Sequence, residues 1–130
     1  MKILVTGGLG SIGYVLVNYL KKEHEVFFCD LPHFNETNYF RCDISSFNQL
    51  NNLFEKIKFD YVFHLGGEFG RWNGEDFYEN MWRTNVIGTK NLIRLQEKHK
   101  FRMIFASSSE VYGDYEGLMT EDVMENNFIK

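Results

Sequence analysis

"VTGGLGSIG" (residues 5–13) decides the fold, because of what stands on either side of it. Before it lies an apolar run, "KILVTG" (2–7), and after it a segment in which Ile12, Val15, Leu16, Tyr19 and Leu20 share a helical face. A glycine-rich fingerprint alone is weak, but a strand before it and an amphipathic helix after it give it meaning. Gly7 turns the chain off the strand. Gly10 removes a Cβ where a backbone must approach a pyrophosphate, and Gly13 lets the helix pack close to the sheet. The helix N-terminus then offers free N–H groups and a partial positive charge to the phosphates.

Three further apolar runs follow: "EVFFCD" (25–30), "YVFHLG" (61–66) and "RMIFASS" (102–108). None alternates polar with apolar, so each reads as a strand buried on both faces of a parallel sheet. "NYFRCD" (38–43) supplies a shorter one. Between them, Phe47, Leu50, Leu53, Phe54 and Ile57 share one helical face, with Ser45 or Ser46 placed to cap it. A longer helix over about 75–98 carries Phe77, Met81, Trp82, Val86, Leu92, Ile93 and Leu95. Strand and helix alternate to about residue 108. That order implies right-handed β-α-β units in an α/β, Rossmann-type, doubly wound parallel sheet. The sheet is expected to stop after its fifth strand.

Asp30 ends the second strand, 23 positions after Gly7. A carboxylate there accepts hydrogen bonds from both adenosine ribose hydroxyls and repels a 2′-phosphate. No Arg or Lys occurs between Asp30 and Asn38 to reverse the preference. The reading is therefore NAD rather than NADP.

Bulk composition agrees with one domain and excludes other classes. The 130 residues suit a single core. With 14 basic and 18 acidic residues, the chain lacks the cationic footprint of a nucleic-acid binder. Its thirteen Phe argue for a packed interior. Cys29 and Cys42 follow no metal spacing and read as reduced, mostly buried thiols. No metal site is expected, since the four histidines show no ligand spacing. No apolar run approaches a membrane span. A strand opening at Lys2 leaves no room for a signal peptide, so the expected location is cytoplasmic.

The motifs, taken together, resemble the extended short-chain dehydrogenase/reductase family, the NAD-dependent epimerases and dehydratases acting mostly on nucleotide sugars. The Thr-Gly-x-x-Gly-x-x-Gly spacing is similar to theirs. "CDI" (42–44), "FHLGGEF" (63–69), "TNVIGTKNLI" (84–93) and "SSSEVYGD" (107–114) resemble family segments in order and spacing. The resemblance implies that Gly7, Gly10, Ser11, Ile12 and Gly13 hold the pyrophosphate, that Asp30 binds the ribose, and that Asp43 and Ile44 flank adenine. Leu65, Gly66 and Gly67 line the path to the nicotinamide ribose, and Asn85 steadies that network. Ser108 falls on the family's catalytic Ser/Thr, with Ser109 and Glu110 beside the sugar. His64 reads as a satisfied core histidine, and Gly88 as a point of close packing against another helix.

Two departures matter. Ser109 stands where sugar 4,6-dehydratases usually carry Asp, which favours an epimerase or decarboxylase. The family's base is a tyrosine in a Tyr-x-x-x-Lys helix, and no Tyr here is followed four places later by Lys. The implied organisation is an incomplete cofactor domain over 1–113 and an acidic tail or loop over 114–130. A catalytic helix and substrate domain would lie beyond it. The chain alone is expected to bind NAD without turnover. It is also expected to pair or self-associate through helix 75–98 or the open sheet edge. The alternative is a non-catalytic NAD-binding regulatory or assembly module.

Overall fold

The computed structural model describes residues 1–69, 78–113 and 115–123. Five strands form one all-parallel sheet: β1 (Lys2–Thr6), β2 (Glu25–Asp30), β3 (Tyr39–Arg41), β4 (Tyr61–His64) and β5 (Arg102–Phe105). Their order is β3-β2-β1-β4-β5. The direction of winding reverses at β1, so a crevice opens between the loops that leave β1 and β4.

Helices cover both faces. On one, α2 (Phe47–Lys56) and α4 (Thr89–His99) bring Leu50, Leu53, Phe54, Leu92 and Leu95 against Leu4, Phe27 and Val62. On the other, α1 (Ser11–Leu20) brings Val17 against Ile3, Val5, Val26 and Phe28. This is the doubly wound arrangement expected from the sequence.

Several local expectations change. In α1, Ile12, Val15 and Tyr19 point to solvent, at 72%, 66% and 67% exposure, and the buried residues are Gly13 and Val17. The helix is apolar nearly all round, so periodicity could not choose its face. Contact at Gly13 does: a Cβ there would stand 2.1 Å from the Gly7 carbonyl oxygen. Neither Ser45 nor Ser46 caps α2 through its hydroxyl; Ser46 is the N-cap residue but makes no side-chain cap bond. Instead, Asp43 Oδ1 accepts from the Ser45 N–H at 2.8 Å, and Gln49 Oε1 accepts from the Asp43 N–H at 2.9 Å.

The long helix is not uniform. A short α3 (Tyr78–Met81) runs into a π-helical segment, Trp82–Gly88, before α4 begins; residues 75–77 lie outside the described part. The closest approach at Gly88 is to a loop rather than a helix: a Cβ there would stand 2.7 Å from Ile44 Cγ1, after β3. Trp82, at 61% exposure, lies on the outer face. β5 is not buried on both faces as its apolar run suggests. It is the sheet edge, and Ile104 and Phe105 are 40% and 53% exposed.

Of the acidic stretch after residue 113, Asp114 and residues 124–130 lie outside the described part. Most of the described remainder is exposed, but Val123 is buried. Cys29 and Cys42 are free and buried, as expected. Among the described residues no group of His, Cys, Asp and Glu could hold a metal, and no helix is long and apolar enough to cross a membrane.

Candidate functional site

Every candidate residue lies at or beyond the C-terminal end of a parallel strand, or on the helical segment facing those ends. The loop after β1 is built on Gly7, whose φ of +68° is closed to most L-residues. Its position is also tight: a Cβ would stand 2.8 Å from the Gly66 nitrogen across the crevice. The Gly10 N–H donates to the Gly7 carbonyl at 3.0 Å, which curls the loop under the helix. The first intrahelical bond of α1 runs from the Tyr14 N–H to the Gly10 carbonyl at 2.9 Å. The N–H groups of Ser11, Ile12 and Gly13 therefore precede the ladder, and neither a side-chain cap nor an acid occupies this first turn.

A Cβ at Gly10 would meet only the Gly7 carbonyl oxygen, at 3.2 Å, with open space beyond. An open backbone cradle under an uncapped helix N-terminus fits the diphosphate of a dinucleotide. Asp30 is half-buried at the end of β2. Its Oδ2 accepts from the Leu9 N–H at 2.9 Å and its Oδ1 from the Leu31 N–H at 2.8 Å. The carboxylate thus ties the glycine loop to the β2 end. Each oxygen keeps acceptor capacity for a ribose hydroxyl.

After β3, the Asp43 carboxylate is engaged in the turn that starts α2. The Ile44 side chain is buried between Gly66 and Gly88. Asn91, unremarked in the sequence reading, holds this turn from α4. Its Nδ2 donates to the carbonyls of Ile44 and Ser45, both at 3.0 Å. A signal was present: Gly88, Asn91, Leu92 and Leu95 recur at helical spacing, which puts a polar amide on the apolar stripe.

The loop after β4 is fixed by a buried chain of hydrogen bonds. Thr89 Oγ1 donates to the Asn85 carbonyl at 2.6 Å. Its one proton is spent there, so it must accept from His64 Nε2–H, 2.9 Å away. His64 Nδ1 is then the bare nitrogen and accepts from Thr6 Oγ1–H at 2.8 Å. Thr6 Oγ1 in turn accepts from the Gly66 N–H at 3.1 Å. Burial pushes the imidazole down from 6.5 to about 4, consistent with this neutral tautomer. His64 is the satisfied core histidine the sequence suggested.

Asn85 completes the loop: its Oδ1 accepts from the Glu68 N–H at 2.7 Å and its Nδ2 donates to the Glu68 carbonyl at 3.1 Å. It braces the segment that carries Leu65, Gly66 and Gly67.

Beyond β5 the chain enters a single 3-10 turn, Ser109–Tyr112. Ser108 precedes it in an extended conformation and accepts at Oγ from the Glu110 N–H at 3.2 Å. Ser107 to Glu110 are exposed. They form one wall of an open cleft of about 910 Å³, opposite Leu65, Gly66, Gly67 and Asn85. The sequence motifs after β4 and β5, some 40 residues apart, thus share one cavity. Gly10 to Gly13, Asp30 and Asp43 lie on the same edge of the sheet, over β1 to β3.

Comparison with known proteins gives a consistent result. The profile of the NAD dependent epimerase/dehydratase family matches residues 3–129. A dTDP-D-glucose 4,6-dehydratase of Dictyostelium discoideum is 30% identical, over 98% of this chain and 33% of its own length. A UDP-N-acetyl-alpha-D-glucosaminuronate decarboxylase of Bacillus cytotoxicus is 31% identical, over 93% of this chain and 40% of its own length. The structure of the UDP-Glc/GlcNAc 4-epimerase of Campylobacter jejuni superimposes with a TM-score of 0.80 at 27% identity, over 92% of this chain and 41% of that one. The chain therefore spans between a third and about two fifths of the length of these relatives. Its glycine cradle, its sheet and its matched length agree, and the chain belongs to the NAD-dependent epimerase/dehydratase family.

Proposed function

We propose that this chain is the cofactor-binding part of a nucleotide-sugar epimerase, decarboxylase or dehydratase, and that alone it binds NAD without turning over a sugar. The observation that carries the reading is the uncapped, open cradle at Gly10–Gly13 with Asp30 beside it. The N–H groups of Ser11, Ile12 and Gly13 hold the diphosphate, with Gly7 shaping the turn. Asp30 accepts from the adenosine ribose. Asp43 and the buried Ile44 border the adenine, and Leu65, Gly66 and Gly67, braced by Asn85, line the approach to the nicotinamide ribose. Residues 1–113 form this unit, and 114–130 are an acidic tail or loop that follows it.

When bound, NAD supplies reversible hydride acceptance from a sugar carbon. Ser108 Oγ hydrogen-bonds the reacting sugar hydroxyl, and Ser109 and Glu110 contact the sugar across the cleft. A serine hydroxyl cannot take a proton at neutral pH without a base. The base in this chemistry is a tyrosine assisted by a lysine one helical turn away. The 130 residues contain no Tyr-x-x-x-Lys. The alternative reading is a binding module with no chemistry of its own. The exposed faces of the helix at Trp82 and of β5 at Phe105 support pairing of two copies.

The test is incubation of the purified chain with NAD and, separately, UDP-glucose, UDP-glucuronate and dTDP-glucose, with products separated by anion exchange. No conversion is expected. Epimer, pentose or 4-keto product in any of the three would refute the inactive reading and identify the class.

A further inference from the structure

No Arg or Lys follows Asp30 along the chain before Asn38. The sheet brings one from elsewhere. Arg41, the last residue of β3, is the direct cross-strand partner of Asp30 in the parallel register. Neighbouring strands lie about 4.8 Å apart. The guanidinium is pinned to the turn that holds the carboxylate: Arg41 Nε donates to the Leu31 carbonyl at 2.9 Å, while the Leu31 N–H donates to Asp30 Oδ1 at 2.8 Å. Tyr39, two residues earlier on β3, holds the same turn. Its hydroxyl lies 3.0 Å from the Asp30 carbonyl and also against the Pro32 carbonyl. Asp30 and Arg41 are therefore presented together from two strands, at one end of the sheet.

Among the described residues no carboxylate forms an ion pair with this guanidinium. Asp30 spends a lone pair of each oxygen on backbone N–H groups. Lys21 and Glu36 pair with each other. With Nε engaged, the Nη groups of Arg41 carry the remaining donors, in the planar fork that matches phosphate geometry. Arg41 is exposed. A cofactor whose ribose is hydrogen-bonded to Asp30 carries its 2′-oxygen within a few ångströms of that carboxylate.

Resting on the cofactor site proposed above, we propose that Arg41 is a specificity-determining residue, the cation that lets this site accept the 2′-phosphate of NADP against the repulsion of Asp30. The site then takes both dinucleotides, and discrimination between them is set by a pair of residues on adjacent strands rather than by Asp30 alone. Arg41 contributes little to NAD, which has no group for it to neutralise.

The test is calorimetric titration of the chain and of Arg41→Gln and Arg41→Lys with NAD and with NADP, with thermal unfolding as a check on folding. Gln removes the charge but keeps a donor able to reach the Leu31 carbonyl. The expected result is that Arg41→Gln weakens NADP about tenfold or more and NAD by less than about threefold, while Arg41→Lys keeps part of the NADP affinity. NAD binding with no NADP binding in the parent chain would overturn the proposal. So would equal losses for both cofactors in a folded Arg41→Gln. Failure of the parent to bind either cofactor would overturn the cofactor site itself, and this proposal with it.

Discussion

His64 Nδ1 lies 2.8 Å from Thr6 Oγ1, so the imidazole joins the last residue of β1 to the last residue of β4 beneath the crevice. Because Thr89 spends its proton on the Asn85 carbonyl, the whole chain of bonds requires a neutral His64 with the proton on Nε2. Protonating Nδ1 would make it a donor and force the Thr6 hydroxyl to turn its proton away from the ring. In the unfolded chain the imidazole titrates near 6.5, and in the fold burial holds it at about 4.

On acidification the unfolded chain takes up the proton first. The stability tied to neutral His64 is complete above pH 6.5, falls as the pH drops toward 4, and is gone below it, a span of about 3 kcal/mol. Urea unfolding at several pH values between 7 and 4 is expected to show this loss in the parent and a flatter profile in His64→Gln. A His64 Cε1–H resonance titrating near 6.5 by NMR would contradict the network.

Gly88 and Ile44 form a second testable pair. Alanine at position 88 gains about 1 kcal/mol in helix propensity, but its Cβ would stand 2.7 and 2.8 Å from Ile44 Cγ1 and Cδ1. Overpacking of this kind costs about 1–3 kcal/mol. Gly88→Ala is expected to destabilise the chain, and Gly88→Ala with Ile44→Ala to cost less than the two single losses added. Additive losses in a double-mutant cycle would show that the contact is not the reason for glycine.

The face of α1 separates structure from periodicity most sharply. Val15→Lys, on the exposed side, is expected to change stability by no more than about 0.5 kcal/mol. Val17→Ala, on the buried side, is expected to cost about 2 kcal/mol. Chemical unfolding of the two variants compares them directly. The reverse ranking would mean that α1 is rotated from the orientation described.

What the sequence disclosed follows from which signals are local. β1 and β2 are buried on both faces and read as continuous apolar runs, so they, the intervening glycine turn and Asp30 were legible together. α2 was legible because only one of its faces is apolar. α1 was not, because its solvent face is apolar too and the deciding contact, Gly13 against Gly7, is a matter of backbone approach. β5 misled because its composition records an apolar strand while its exposure depends on its place at the edge. The π-helical stretch at Trp82–Gly88 leaves no mark in composition.

The site shows the same division. The glycine loop, the β4 loop and the serine stretch each announced themselves, and the cleft unites the last two. Relations across the sheet stayed hidden: Arg41 beside Asp30, Asn91 under Ile44, and the turn before α2 held by the Asp43 and Gln49 side chains. Each depends on strand register or on a turn that only the folded chain defines.

On the function proposed above, Asp30 and the Gly7–Gly13 cradle form a working dinucleotide site within these 130 residues. The decisive measurement is calorimetric titration of the purified chain and of Asp30→Ala with NAD. Saturable one-to-one binding is expected in the parent, weakened about tenfold or more in Asp30→Ala. Absence of binding in a folded parent chain, or equal affinity in the two, would contradict it.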